Sequence, residues 1–225
     1  MAHRIGIISD THGVLYPSAA KLLHSCEVIL HCGDFGTPQV LENLRAIAPV
    51  YAVRGNIDTG REFDDIPKTR SFNLFGVRVF LIHNQKLIQE NLCDRDLIIC
   101  GHTHKYEYVN KNGQFWLNPG SCGRKRFFLP VTMAVMAIQE DGSFQIEKIE
   151  LEKTVSETVL HSQPAFPKDI RQVVIRVMKE TEKGRAVDAI AQSCGISTEL
   201  AEQICRLYLT HPGVSADGIL GKMGL

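Results

Sequence analysis

A chain of 225 residues with 44% hydrophobic and 22% charged residues has the composition of an ordinary globular protein and can bury a sizeable core. Its 25 Lys and Arg residues balance 25 Asp and Glu residues, so the net charge argues for neither a nucleic-acid-binding nor a membrane-binding surface. No apolar stretch is long enough to span a membrane, and we expect no membrane partner.

The seven cysteines lie at scattered positions and form no Cys-x-x-Cys pair, which favours reduced thiols over a disulfide framework. The first four residues lead directly into an apolar run and lack the long apolar region and cleavage site of a signal peptide. Both observations predict a cytoplasmic protein.

Residues 1–58 alternate between short apolar runs and helical segments. The apolar runs predict strands over 5–9, 28–31 and 50–53. The intervening segments predict one helix over 17–25 and another that begins at Pro38, with Thr37 as its N-cap. This alternation is typical of an α/β domain with parallel strands, in which ligands gather at the carboxyl ends of the strands.

Beyond residue 60 the pattern becomes mostly β. The predicted elements are a short helix over 85–93, a strand over 97–100, and strand pairs over 69–74 and 77–82, 106–110 and 114–117, and 131–138 and 143–151. The composition changes near residue 153. We therefore expect a first domain over 1–153, a linker over 154–167 and a helical module over 168–225.

The helical module is predicted to contain four helices and no internal repeat. The spacing around Gly195 resembles a helix-turn-helix, but a helix that reads DNA should be basic. Here the second helix carries Glu199 and Glu202 against one basic residue, Arg206. A small module that forms a homo-oligomer through its helices is therefore preferred, and nucleic-acid binding is disfavoured.

Residues with metal-ligating side chains follow five of the predicted strands. The candidate ligands are Asp10, His12, Asp34, Asn56, His83, His102 and His104. Any one of them alone is more often a turn former or a satisfied polar residue than a ligand. Their shared position after strands predicts that they meet at one edge of the sheet.

This set contains four imidazoles, two carboxylates and one amide. Such donors suit two divalent transition-metal ions, among them Mn²⁺, Zn²⁺, Fe²⁺ and Ni²⁺. The lack of thiolates in the set argues against a structural zinc cluster, and the imidazoles argue against a Ca²⁺ or Mg²⁺ cage. A pair of such ions can activate a bridging hydroxide and bind phosphoryl oxygens.

Six short motifs together resemble the calcineurin-like metallophosphoesterase superfamily, in particular its small single-chain phosphodiesterase branch. They are Ser9–Gly13, Gly33–Asp34, Arg54–Asp58, Leu81–His83, Gly101–His104 and Asn118–Ser121. The resemblance extends from residue 4 to about residue 151. It implies an α/β fold, the four-layer α/β/β/α sandwich with a dimetal site at the strand ends. The small all-helical C-terminal extension lies outside it.

The resemblance also implies how the ligands are shared. Asp10, His12, Asp34 and His104 would hold one ion, and Asp34, Asn56, His83 and His102 the other, with Asp34 as the bridge. A metal-bridging hydroxide would attack the phosphorus of a small phosphoester in line, and Mn²⁺ is the preferred metal. Asp34, Asn56 and Asp58 are the predicted catalytic residues. Asp58 would orient a ligand or a backbone group without binding the metal itself. The alternative is that Asp58 only forms a turn.

Two departures from the family pattern concern the substrate. Ile57 stands where many members have a histidine, and Asn84-Gln85 stands where this branch often has Gly-His. Substrates with good leaving groups are therefore favoured, because they need little protonation. The predicted substrate contacts are Asn56, Asn84, Ser121 and Arg124, with Arg126 considered beside Arg124.

A scaffold function is the alternative to the enzyme. The same branch includes the retromer scaffold subunit, which uses this fold chiefly to bind proteins, and residues 101–107 and 115–121 are close to its sequence. A scaffold is expected to have damaged metal ligands, whereas this chain retains Asp34 and Asn56. The sequence therefore favours the enzyme.

Overall fold

The computed structural model describes residues 2–123, 129–151 and 169–223. The chain divides into two compact units, Met1–Thr154 and Val155–Leu225. The predicted linker over 154–167 lies outside the described residues, and the exact domain limits remain a prediction.

The described part of the first unit contains ten strands and two α-helices. The strands are β1 (His3–Ile8), β2 (Val28–His31), β3 (Val50–Ala52), β4 (Thr69–Leu74), β5 (Val77–Ile82), β6 (Leu97–Ile99), β7 (Tyr106–Lys111), β8 (Gln114–Pro119), β9 (Thr132–Ile138) and β10 (Phe144–Glu150). The helices are α1 (Pro17–Leu23) and α2 (Pro38–Arg45). Both begin with proline, whose missing N–H costs no hydrogen bond in a first turn. Thr37 is the N-cap residue of α2, but its side chain makes no capping hydrogen bond.

The strands form two five-stranded mixed sheets. The first sheet has the order β10-β9-β1-β2-β3, and the second has the order β4-β5-β6-β8-β7. The three strands β1, β2 and β3 are parallel, and so are β5, β6 and β8. The remaining pairings are antiparallel. Each sheet therefore has three parallel strands whose carboxyl ends lie at one edge.

Apolar side chains of both sheets share one core. Ile7 and Leu30 of the first sheet and Leu81 and Ile99 of the second belong to it, and all four are fully buried. A second core lies between the first sheet and the helices α1 and α2. Burial of each such side chain contributes about 1.5–3 kcal/mol. The order of layers is thus helices, sheet, sheet, which are three of the four layers of the α/β/β/α sandwich.

The outer face of the second sheet is covered by an irregular segment, so the predicted helix over 85–93 is wrong. Only Gln85–Leu87 forms a single 3₁₀ turn. Leu92 is nevertheless buried against the sheet. The side-chain amide of Gln114 donates to the carbonyl oxygens of Leu92 at 2.5 Å and Arg95 at 3.0 Å. Those carbonyls are satisfied without a helix.

The second unit contains four helices within the described residues. They are α3 (Ile170–Glu182), α4 (Val187–Cys194), α5 (Thr198–Thr210) and α6 (Ala216–Met223). Helix α4 is followed by Gly195 in the left-handed conformation, and Ser197 caps α5 by accepting the N–H of Leu200 at 3.3 Å. In the described ranges, no helix has the length and apolar character needed to cross a membrane.

The helical unit alternates longer and shorter helices. Helices α3 and α5 each have 13 residues, and α4 and α6 each have 8. The shorter helices begin with matching sequences, Val187-Asp-Ala-Ile and Ala216-Asp-Gly-Ile. Ile190 and Ile219, which correspond, are both fully buried. Asp188 and Asp217, which also correspond, are both exposed.

Candidate metal centre

Loops that follow the parallel strands carry all of the predicted ligands. Asp10 and His12 follow β1, Asp34 follows β2, Asn56 follows β3, His83 follows β5, and His102 and His104 follow β6. The carboxyl ends of parallel strands meet at one edge of a sheet. Side chains that are far apart in the sequence are therefore brought together.

Four of these side chains form one compact group. Ligand atoms of Asp10, His12, Asp34 and His104 all lie within 4.8 Å of one another. Oδ1 of Asp10 is 3.1 Å from Nε2 of His104 and 3.9 Å from Nε2 of His12. The Nε2 atoms of His12 and His104 are 3.2 Å apart. Donors that share one ion at about 2.0–2.2 Å have separations of this order.

The other three predicted ligands lie beside this group. Oδ2 of Asp34 is 3.9 Å from Nε2 of His12 and 3.4 Å from Nε2 of His83. The same carboxylate oxygen thus faces an imidazole from each predicted ligand set. Nδ2 of Asn56 is 3.2 Å from Nδ1 of His102. The rings of His83 and His102 meet edge to face, with centroids 5.2 Å apart.

The buried charges of the site favour a bound cation. Burial would raise the pKa of Asp10, but the charge and close contact of His104 hold that pKa well below its usual range. Burial would also raise the pKa of Asp34, which the close contact with His83 lowers instead. For His83 burial lowers the pKa, but the contacts with Asp34 and Asp10 raise it to about 9. Both carboxylates are therefore ionised at neutral pH.

Two hydrogen bonds fix the orientation of the Asp10 carboxylate. The Ser9 hydroxyl donates to Oδ2 at 2.6 Å, and the backbone N–H of His102 donates to the same oxygen at 3.1 Å. Oδ1 is buried and makes no hydrogen bond. The carboxylate consequently directs Oδ1 toward the imidazoles. Ser9 was not among the predicted site residues, although its position directly before Asp10 was a usable signal.

Unusual backbone conformations are concentrated at the ligands. Seven non-glycine residues in the described part have positive φ, and five of them are predicted ligands: Asp10 (55°), His12 (46°), Asp34 (59°), His102 (71°) and His104 (62°). A non-glycine residue pays a steric cost in this region of φ/ψ space, and such residues cluster at functional sites.

Two glycines allow the ligand loops to approach closely. A Cβ atom on Gly55 would lie 2.0 Å from Oδ1 of Asp34, and a Cβ atom on Gly101 would lie 2.0 Å from Oγ of Ser9. Both distances are far below van der Waals contact. No residue with a side chain fits either position without displacing a ligand loop.

Asp58 holds backbone groups rather than ligand atoms. Its Oδ2 accepts the N–H groups of Asp34 and Gly55, both at 2.8 Å, and its Oδ1 accepts the N–H of Gly36 at 3.2 Å. Burial raises the pKa of Asp58, while the N–H of Gly55 acts in the opposite direction. The contacts join the loops after β2 and β3. They suit both predicted alternatives, ligand orientation and turn formation, and a catalytic effect of Asp58 stays a prediction.

The predicted substrate contacts are only partly within the described residues. The hydroxyl of buried Ser121 donates to the backbone carbonyl of Asp10 at 2.9 Å. The side-chain oxygen of Asn84 accepts the N–H of Lys86 at 3.0 Å. Arg124 and Arg126 lie outside the described residues. The contacts of Ser121 and Asn84 are with the protein itself, and their roles toward substrate stay predictions.

Two further buried residues that the sequence analysis missed brace the ligand loops. The Asn118 amide donates to the carbonyl oxygen of Gly101 at 2.7 Å and to the hydroxyl of Thr103 at 3.0 Å. His31 contacts the hydroxyl of Thr11 at 3.1 Å. The available signal was the same in both cases, namely a polar residue at the end of an apolar strand.

The residues present fit divalent transition-metal ions. Oδ1 of Asp10 and Nε2 of His83 are buried and make no hydrogen bond. A buried polar atom without a partner costs free energy, which coordination to an ion removes. Imidazole and carboxylate donors without thiolates are the ligand types that Mn²⁺, Fe²⁺, Ni²⁺ and Zn²⁺ accept.

Comparison with known sequences and structures agrees with this geometry. A probable metallophosphoesterase of Methanothermobacter thermautotrophicus is 34% identical over 163 residues, which cover 66% of this chain and 90% of the relative. A phosphodiesterase of Methanocaldococcus jannaschii is 28% identical over 140 residues, 53% of this chain and 84% of the relative. Vacuolar protein sorting 29 of Cryptosporidium parvum shares the fold, with a TM-score of 0.55 and 21% identity over 68% of this chain and 99% of that one.

The family assignment rests on the first unit. Residues 3–141 match the calcineurin-like phosphoesterase superfamily domain. This range contains all seven predicted ligands and both sheets except for β10. The chain therefore belongs to the calcineurin-like phosphoesterase superfamily and is a metal-dependent phosphoesterase of that superfamily.

Proposed function

We propose that the protein is a phosphodiesterase that works with two divalent metal ions. The observation that carries this proposal is the position of the Asp34 carboxylate. Its Oδ2 lies 3.9 Å from an imidazole of one ligand set and 3.4 Å from an imidazole of the other. A carboxylate between two groups of ligands is suited to bridge two ions. Asp10, His12, Asp34 and His104 would hold the first ion, and Asp34, Asn56, His83 and His102 the second.

The bound ions would supply a nucleophile from water at neutral pH and neutralise charge that develops on the phosphoryl oxygens. The surrounding residues of the protein hold the ligand side chains in position. Ser9 and the backbone of His102 hold the Asp10 carboxylate in one orientation. The carbonyl oxygen of Cys32 accepts the Nδ1 proton of His83 at 2.7 Å, which leaves Nε2 directed at Asp34. Fixed ligand orientation raises metal affinity and activity.

The substrate is proposed to be a small phosphodiester with a good leaving group. The side chain of Ile57 is 47% exposed, while its backbone N–H donates to Oδ1 of Asp34 at 3.2 Å. An apolar residue therefore stands next to the ligands at a position where an acid could have protonated the leaving group. A leaving group of low pKa departs without such help. Mn²⁺ is the metal we propose.

Turnover of an activated phosphodiester by the Mn²⁺-loaded protein tests this function. Asp34→Ala should lower kcat by at least about 100-fold, because loss of a direct ligand should exceed the 10–100-fold effect typical of residues that only support ligands. Asp65→Ala, which removes an exposed carboxylate outside the site, is the matched control and should retain activity.

The scaffold alternative makes a different prediction in the same experiment. Full occupancy by two Mn²⁺ ions without hydrolysis of any member of a phosphodiester and phosphomonoester panel would contradict the proposed enzyme and favour protein binding. Hydrolysis of monoesters alone would retain the metal chemistry but change the proposed substrate class.

A further inference from the structure

His31 is a buried imidazole that the proposed chemistry does not use. It is the last residue of β2, and its exposure is 0%. It stands two residues before Gly33 and three before the ligand Asp34. Burial of an imidazole requires hydrogen-bond partners for its nitrogens, because an unpaired polar group costs free energy in the interior.

Both ring nitrogens of His31 have partners in different ligand loops. The backbone N–H of Gly33 donates to Nδ1 at 3.1 Å, so Nδ1 carries no proton. The proton of the neutral ring is then on Nε2, which donates to the Thr11 hydroxyl at 3.1 Å. That hydroxyl in turn can donate to the carbonyl oxygen of Phe35 at 3.2 Å. The hydrogen bonds therefore lead from Gly33, directly before Asp34, through His31 and Thr11 to Phe35, directly after Asp34.

Packing fixes the plane of the His31 ring. The ring stacks on Phe35 with centroids 3.7 Å apart and an interplanar angle of 11°. Burial lowers the pKa of His31 to about 3, so the ring remains neutral and keeps one donor and one acceptor. The orientation and the tautomer are both determined by the surroundings.

Backbone bonds already align the two loops on either side of Thr11, and the N–H of Val14 donates to the Thr11 carbonyl at 3.0 Å, but these bonds leave the Thr11 side chain free to rotate. Asp10 N–H donates to the Gly33 carbonyl at 2.9 Å, and His12 N–H donates to the Asp34 carbonyl at 3.0 Å. Thr11 lies between these two pairs, and its side chain is what His31 holds. The residues on both sides of Thr11 are ligands of the first proposed ion.

We propose that His31 is a positioning residue that sets the separation of the Asp10–His12 loop from Asp34 and thereby the affinity for the first metal ion. The inference rests on the proposed two-ion function. The second ion shares Asp34 with the first and otherwise depends on His83, His102 and Asn56, whose hydrogen bonds described above do not involve His31. Disruption of the His31 contacts should therefore weaken binding of the first ion more than binding of the second.

Metal titration of the metal-free full-length protein with Mn²⁺, followed by calorimetry and electron paramagnetic resonance, tests this inference. Thr11→Val removes the hydroxyl at nearly constant volume, and His31→Asn retains an acceptor near the Gly33 N–H but cannot reach Thr11. Each should weaken binding of the first ion by about 10–100-fold and change binding of the second ion by less than that. Thr11→Ser retains a hydroxyl at this position and should bind both ions with wild-type affinity.

Ile138→Ala is the control for loss of stability alone, since Ile138 is fully buried near the far end of the sheet and pairs with His3. The inference would be overturned if Thr11→Val, with a stability equal to that of Ile138→Ala, bound both ions with wild-type affinity. If His31→Asn does not fold, the comparison of Thr11→Val with Thr11→Ser decides. Failure of the proposed function would appear separately, as a wild-type protein that binds two ions and hydrolyses nothing.

Discussion

The two units of the chain differ in what they bury. In the described residues, every buried polar or charged side chain belongs to the first unit: Ser9, Asp10, Thr11, His31, Asp34, Asp58, His83, His104, Asn118, Ser121 and Thr132. The buried residues of the described helical unit are apolar or cysteine. The helical unit follows the rule of an apolar face packed inward. The first unit departs from that rule at the strand ends, which are the ends that carry the ligands.

The first unit buries polar groups, which cost stability, at the place where the predicted metal ligands lie. Buried polar groups require partners, and ligand atoms must remain available to ions instead of being fully satisfied by the protein. Ser9, His31 and Asn118 satisfy the groups around the ligands, and atoms such as Oδ1 of Asp10 are left without a hydrogen bond. Experiments that act on one unit and not on the other can sharpen or break this contrast.

Removal of one histidine from each unit should give the largest contrast. His104→Ala removes an imidazole 3.1 Å from Asp10 and should lower kcat by at least about 100-fold. His211→Ala in the helical unit removes contacts with the carbonyl of Leu207 and the hydroxyl of Thr210 and should leave kcat within about twofold. Steady-state kinetics at saturating Mn²⁺ measure both. Equal losses in the two variants would contradict a site confined to the first unit.

Metal binding should stabilise the first unit selectively. Free Mn²⁺ at 100 times its Kd should add about 2.7 kcal/mol to the free energy of unfolding of the part that binds it. Amide hydrogen exchange should therefore slow in the loops over 9–12, 33–35 and 101–104. Exchange in helices α3–α6 should stay unchanged. Equal protection of both units would show that they unfold together.

Metal affinity should depend on pH through His83. Its pKa of about 9 lies above the ordinary value of 6.5, so an ion must displace a proton from the ring at any pH below about 9. Apparent affinity should rise from pH 7 to 9, by at most about tenfold per pH unit, and then level off. Calorimetry in two buffers with different ionisation enthalpies should detect proton release at pH 7.5. His83→Gln should abolish this proton release. Metal binding by the wild-type protein that does not depend on pH would contradict the prediction.

The smallest effect on turnover is expected from a surface change in the helical unit. Leu209 on α5 is 68% exposed and is therefore available to the predicted homo-oligomer contact. Leu209→Asp should lower the oligomeric mass measured by sedimentation without changing kcat. Leu87→Asp, at a 64% exposed position of the first unit, is the control for assembly. A wild-type monomer would contradict the predicted oligomer.

The sequence predicted the strands and the ligand loops well because both depend on local patterns. Short apolar runs ended by Gly-Asp, Gly-Asn or Gly-His mark a strand and the loop after it, and the ligand atoms of Asp10, His12, Asp34 and His104 indeed converge. Parallel pairing then brings such loops together without further information. Superfamily membership was also predictable from these motifs.

What the sequence did not reveal depends on contacts between distant residues. The apolar pattern over 85–93 suggested a helix, but Gln114 satisfies the carbonyl of Leu92 from another strand. Ser9 contacts the carbonyl oxygen of Cys32, and Asn118 contacts that of Gly101. His31 contacts Thr11, which lies 20 positions earlier. No local pattern distinguishes such a bracing residue from an ordinary polar residue at a strand end.

The left-handed conformation of five predicted ligands has an evolutionary consequence. Each such residue raises the free energy of the folded state by about 1 kcal/mol or more relative to a residue that is relaxed there. Glycine would relieve that strain at every one of these positions, but only by deleting a metal ligand. Selection for catalysis and selection for stability therefore oppose each other here. When catalysis is no longer selected, substitutions that remove the predicted ligands can therefore increase the stability of the sandwich.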